Sequence, residues 1–205
     1  MSRSRIILDL CGGTGSWSKP YKDAGYDVRL ITLPHYDVQT YKPPKNVYGI
    51  LAAPPCTAFS VTGKREQYAM EKELTVVKCC FTIIKTCVPI FWALENPVGF
   101  LQNYIGPQTF TFQPWEFGDK WTKKTAVWGM FNIPVTLFSA YKECPGKPTW
   151  PLRKGRHKAS IAYGHKNQIL LMPQLSCFRT LCKTDADARA ITPPGFAKAF
   201  FKENQ

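Results

Sequence analysis

At 205 residues and 23.2 kDa the chain has room for one ordinary domain with a sizeable hydrophobic core. Its 27 Lys and Arg against 14 Asp and Glu leave a formal net charge of +13, which asks for an anionic partner, nucleic acid or an acidic membrane surface. A hydrophobic share of 44%, with 14% aromatic, excludes a disordered basic tail, and no apolar run approaches the roughly 20 residues of a membrane span. The N-terminus is basic and then apolar, but the apolar stretch is short and holds Asp9, so a signal peptide is not expected. Eight cysteines without an export signal read as reduced thiols, most of them small hydrophobes of the core.

In chain order, residues 5–10 (RIILDL) form an apolar run that ends in a Gly-rich turn, Gly12-Gly13-Thr14-Gly15. A helix is predicted from about Ser16 to Ala24, closed by Gly25. Residues 27–33 and 47–53 read as buried strands. Between Lys64 and Val88, apolar residues at Met70, Leu74, Val77, Phe81, Ile84 and Val88 follow steps of four and three, which predicts an amphipathic helix. Residues 90–94 make another strand, leading into Glu95-Asn96-Pro97. Strands alternating with helices imply a doubly wound α/β fold around a mostly parallel sheet, with right-handed crossovers. Residues 110–117 and 125–131 predict further strands, antiparallel ones. From Lys142 to Lys183 the chain is rich in Pro, Gly and basic residues, with nine Lys or Arg against the single acid Glu143. A C-terminal helix opens at Pro193-Pro194-Gly195.

Ligands of open parallel sheets bind at the carboxyl ends of strands, and four such ends carry unusual chemistry here. In Asp9 through Gly15, glycines let backbone approach a ligand closely, although tight turns use Gly for structural reasons too. In Pro54-Pro55-Cys56, two prolines stiffen the chain where it leaves the sheet and present the thiol on a rigid loop. The nearby Lys64 and Arg65 would favour the thiolate, the nucleophilic form. Glu95 directly follows a buried strand, a costly place for a carboxylate, where it is a candidate proton donor or an acidic helix cap. Asp37 lies near the end of the second strand, either as a ligand contact or as a solvated loop residue.

These four features, in this order, resemble the cytosine-5 DNA methyltransferase family, in particular its compact phage and prophage members. The matching stretches are LDLCGGTGSW, APPCTAFS and ALENPVGF, with WTKKTAVWG and ITPPGFAKAF less clearly so, over about residues 6–131 and again 189–200. The resemblance implies a Rossmann-like, S-adenosylmethionine-dependent fold and a cytoplasmic enzyme of a bacterial or phage-infected cell, expected as a monomer. It assigns Asp9, Cys11, Gly12, Gly13, Gly15, Asp37 and Pro54 to the cofactor, and implies Cys56 as nucleophile and Glu95 as proton donor to the ring. The family's acidic residue after the second strand is replaced by Ile31-Thr32-Leu33. Where relatives carry a Gln-x-Arg-x-Arg segment, this chain reads Trp121-Thr122-Lys123-Lys124-Thr125, so Lys123 or Lys124 is expected near the base, without the bidentate fork of arginine.

The expected organisation is a single methyltransferase domain over 1–205, with a small basic, irregular insert at about 135–188 in place of a full target-recognition domain. Arg153, Lys154, Arg156 and Lys158 form the expected phosphate-binding loop, with Trp150 and Tyr163 available to stack. Ser60, Lys64, Arg65 and Arg189 are further candidates for nucleic-acid contact. Such contacts give salt-sensitive affinity rather than sequence information, so short or relaxed specificity is expected. Cys144, His157, His165, Cys177 and Cys182 could ligate zinc, but their spacing fits no standard site and no metal is assigned. Competing readings are an RNA cytosine-5 methyltransferase, a DNA cytosine-modifying enzyme that uses an altered sulfonium cofactor, and a basic DNA-binding protein with a vestigial fold.

Overall fold

A computed structural model describes residues 5–60 and 66–205. Its central sheet has six strands: β1 (Ile6–Leu10), β2 (Asp27–Ile31), β3 (Val47–Ala52), β4 (Phe91–Pro97), β5 (Phe110–Phe112) and β6 (Thr125–Met130). They lie in the order β2-β1-β3-β4-β6-β5. The first four are mutually parallel, while β6 runs antiparallel to both β4 and β5. Because β2 lies on one side of β1 and β3 on the other, the chain reverses its winding direction at β1. The crevice of a doubly wound sheet opens at that switch point, outside the carboxyl ends of β1 and β3. The fold is therefore Rossmann-like α/β, as the alternation of strands and helices implies.

Period-two alternation along the strands sorts the core onto two faces. Leu8, Leu10, Ile50, Ala52 and Leu94 point to one side and meet helix α2 (Gln67–Cys87) through Val77, Cys80, Ile83 and Ile84. Ile7, Leu51, Phe91, Ala93 and Val127 point to the other, where Trp17, Tyr21, Phe196 and Phe200 cover them from helices α1 (Lys19–Asp23) and α6 (Pro194–Glu203) and the turn before α1. Full burial of each such aliphatic side chain is worth roughly 1.5–3 kcal/mol. The buried stripe of α2 stops short of Val88, which is 80% exposed. Val88 takes a left-handed conformation (φ 46°) and ends the helix instead of continuing its apolar face.

Three segments depart from the sequence-based reading. The first helix is shorter than residues 16–24, because Cys11, Gly13 and Gly15 all have positive φ and keep the chain in turns until Ser18. The strand expected over 110–117 ends at Phe112, since Pro114 turns the chain into a 3₁₀ helix (Pro114–Phe117) capped reciprocally by Gln113 and Glu116. The expected insert is built from short helices, among them α4 (Lys166–Ile169) and α5 (Asp185–Ala190), and surrounds a core of its own. Trp121, Trp150, Ile161, Ile169, Leu175, Phe178 and Ile191 are buried in it. Trp150 is thus 3% exposed, with its ring 6.0 Å from that of Trp121, and cannot stack on a base.

Candidate active site

The Gly-rich turn is built on a buried carboxyl. Asp9, at 0% exposure, accepts the Ser18 hydroxyl on Oδ2 at 2.5 Å, while its Oδ1 has no protein partner. Burial raises its pKa from an ordinary 3.8 to about 7. Gly12 rests directly on this carboxyl, and a Cβ there would lie 2.2 Å from Asp9 Oδ1, so no other residue fits without displacing the carboxyl or the turn. The Gly15 amide donates to the Gly12 carbonyl at 2.9 Å and closes the turn. From the far end of the chain, the Thr192 amide donates to Ser16 Oγ at 2.8 Å and ties the segment before α6 to this turn.

The Pro-Cys loop is clamped to the end of β4. The Asn96 side-chain amide donates to the Pro54 carbonyl at 3.1 Å, and the Phe100 amide to the Phe59 carbonyl at 2.8 Å. Ser60 and Gly99 form an isolated antiparallel bridge. Gly99 makes the approach feasible, for a Cβ there would lie 2.2 Å from the Phe59 carbonyl oxygen. Within the loop, the Cys56 carbonyl accepts from Phe59 N at 3.2 Å and Ser60 N at 2.9 Å, which winds residues 56–60 into a single turn.

One cavity of about 700 Å³ joins the two loops. Cys11, Gly12, Gly13 and Thr14 line one end, Pro54, Cys56, Glu95, Asn96 and Lys123 the other, and Thr32 through His35 the wall beyond β2. Leu181, Lys183, Asp187, Ala190 and Thr192 close it from the opposite side. Glu95 is 7% exposed and Asn96 1%, yet Glu95 Oε2 and Asn96 Oδ1 have no protein partner. Leaving such atoms unpaired costs about 1–3 kcal/mol each, which a ligand in the cavity would recover.

Electrostatics at the thiol differ from the expectation. Burial pushes the Cys56 thiol above its ordinary value; Lys123 pulls it down, and Glu95 and then Glu73 push it up. The protonated thiol is therefore favoured at rest, and Lys123 is the cation that acts on it among the described residues. Lys64 and Arg65 lie outside those residues.

Of the other candidates, Cys11, Gly12, Gly13, Pro54, Cys56, Glu95 and Lys123 meet around the cavity, whereas Asp9 and Gly15 shape its wall from beneath without lining it. Lys124 is exposed and outside it. Asp37 is also outside, because its Oδ1 accepts the Gln39 amide at 2.9 Å and its carboxylate serves its own loop. Arg153, Lys154, Arg156 and Lys158 all lie on an exposed loop, with the Arg153 guanidinium donating to the Tyr163 hydroxyl at 2.6 Å. Arg189 is spent within the insert, donating from Nε to the Gly164 carbonyl at 2.9 Å and pairing with Asp185 at 3.5 Å. Among the described residues no three His, Cys, Asp or Glu side chains come together as a metal site, so the scattered cysteines and histidines of the insert form none. Also among them, no helix is long and apolar enough to cross a membrane.

The Rossmann-like sheet thus carries a Gly-seated turn and a Cys/Glu pair at its carboxyl edge. Residues 19–112, a little under half of the chain, match the family model of C-5 cytosine-specific DNA methylases. The chain is 29% identical over 119 residues to the Type II methyltransferase M.DdeI of Desulfomicrobium norvegicum, covering 46% of this chain and 28% of that protein. Solved structures similar to it include a putative DNA modification methyltransferase encoded within an E. coli prophage (16% identity, 63% of this chain, 49% of that one, TM-score 0.46). Another is a mutant of Spodoptera frugiperda DNMT2 (19% identity, 60% of this chain, 49% of that one, TM-score 0.43). The chain spans about half the length of these structures and 28% of M.DdeI.

Proposed function

We propose that this chain methylates carbon 5 of cytosine in DNA through a covalent adduct at Cys56. The observation that carries the reading is the single cavity in which Cys56, Glu95 and Lys123 share walls with the Gly12 turn. S-adenosylmethionine fits the other end. Gly12 seats the turn on the Asp9 carboxyl, and Cys11 through Thr14 with Thr32 through His35 would hold the cofactor. When bound, that cofactor supplies an electrophilic methyl group on sulfur.

Carbon 5 of cytosine is a weak nucleophile, and the residues present answer that difficulty. Once deprotonated beside Lys123, Cys56 Sγ forms a bond to carbon 6, and the ring's π electrons shift toward N3. Glu95 carries a proton onto N3 and leaves a neutral enamine, nucleophilic at carbon 5. After carbon 5 has been methylated, a base removes its proton, the Sγ–C6 bond breaks, Cys56 leaves as thiolate, and N3 returns its proton to Glu95. A base within a duplex is out of reach of such a cavity, so the target cytosine is flipped out or already single-stranded. The exposed Arg153–Lys158 loop supplies phosphate contacts, and the small size of the insert favours short or relaxed sequence recognition.

DNA containing 5-fluorocytosine blocks the final proton removal. Incubated with it and S-adenosylmethionine, the protein is expected to form a covalent adduct that survives denaturing electrophoresis and is abolished by Cys56→Ser. No adduct with any DNA, single- or double-stranded, would refute the nucleophile. Mass spectrometry of the product nucleoside identifies the transferred group. That measurement also tests the altered-sulfonium reading, favoured by a wall beyond β2 with Thr32 and His35 but no carboxylate.

A further inference from the structure

We propose that Glu73, in the second turn of α2, is the positioning residue for the nucleophile loop: its carboxylate holds the amides of Thr57 and Ala58 and fixes where Cys56 points. The Ala58 amide donates to Glu73 Oε2 at 2.9 Å, and the Thr57 amide bonds the same carboxylate. Residues 56–60 make one helical turn that begins at Cys56. The first amides of such a turn have no partner within it, and a carboxylate across its start satisfies them as a capping side chain would. Ala58 is 1% exposed, so without Glu73 its amide would have little recourse to water. Glu73 lies one turn before Val77 on the buried stripe of α2, where a half-buried acid needs such partners.

The same placement gives Glu73 a second effect. Three charged groups act on Cys56 among the described residues: Lys123 from the segment before β6, Glu95 from β4 and Glu73 from α2. Glu73 thus opposes Lys123, and the residue that anchors the loop also restrains formation of the thiolate.

This inference rests on Cys56 being the nucleophile, but its test needs no methyl transfer. In the full chain, iodoacetamide labelling of Cys56 is followed across pH by peptide mass spectrometry, the thiolate sulfur displacing iodide. Glu73→Gln keeps an acceptor oxygen and removes the charge, so the pH of half-maximal labelling is expected to move down. Glu73→Ala also removes the anchor, and amide exchange at Thr57 and Ala58 is expected to accelerate by about tenfold, with Glu73→Gln restoring most of the protection. An unmoved labelling profile in Glu73→Gln would overturn the proposal, and so would unchanged exchange in Glu73→Ala. Should Glu73→Ala fail to fold, the Glu73→Gln profile decides alone. If the 5-fluorocytosine adduct never forms while these shifts are seen, the function falls and the loop assignment stands.

Discussion

Asp9→Asn offers a quantitative handle on the Gly-rich turn. The carboxyl is wholly buried, and burial carries its pKa from 3.8 to about 7. The folded chain therefore keeps this proton over a range in which the unfolded chain has already lost it. Stability due to Asp9 is greatest below the unfolded value and falls as pH rises from about 4 through 7. At 1.36 kcal/mol per pH unit the loss amounts to about 4 kcal/mol, complete by about pH 8.5. Asn keeps an oxygen for the Ser18 hydroxyl and has no proton to lose. Its amide adds only an offset that is equal at every pH. Asp119, raised by burial to about 6, adds a slope of the same sign at lower pH, but it is present in both proteins and cancels in their difference. Urea unfolding, followed by the fluorescence of the buried Trp17 and Trp121, gives the measurement. Relative to wild type, Asp9→Asn is expected to gain about 4 kcal/mol between about pH 4 and pH 8.5. A difference that stays flat across that range would show that Asp9 is ionised in the fold, and the account of the turn would be wrong.

Two further outcomes separate neighbouring residues. Lys123→Ala should move half-maximal labelling of Cys56 to higher pH, while Lys124→Ala leaves it in place; equal effects would contradict the different settings of the two lysines. Replacing Arg153, Lys154, Arg156 and Lys158 together by Ala should lower the slope of log affinity against log salt on duplex DNA by about 3 to 4, with site preference retained. Filter binding over a salt series reads the first effect and methylation mapping the second.

Much of this arrangement is legible in the sequence because it depends on local pattern. The runs at 6–10, 47–52 and 91–97 are bounded by turn residues, and the helix over 67–87 announces itself by its period. Cys56 and Glu95 stand out because a thiol after two prolines and an acid after a buried strand are chemically odd where they sit. The losses are of another kind. Glu73 resembles any surface acid of an amphipathic helix, and only the stripe traced back one turn from Val77 shows that it faces inward. Asp37 stays ambiguous in the sequence because a side chain that bonds its own backbone two residues on has the same sequence as one that binds a ligand. The cavity wall from Leu181 to Thr192 is distant in sequence from everything it faces, and no local period encodes it. Trp150 is hidden by its surroundings, since a Pro- and Lys-rich neighbourhood suggests an open loop while its indole donates to the Ser160 carbonyl at 3.1 Å inside a small core.

That small core also limits how the protein could be rebuilt. Its members include Trp121, two residues before the lysine at the thiol, and Ile191, next to the threonine that bonds Ser16. A graft that exchanged residues 135–188 for a module from another protein would cut through the seam and strip both of their packing. The insert in this scaffold is therefore not a detachable cassette. A transplant that preserves the packing must carry the stretch from Trp121 to Ile191 as one piece, or supply a replacement whose underside fits the same indole.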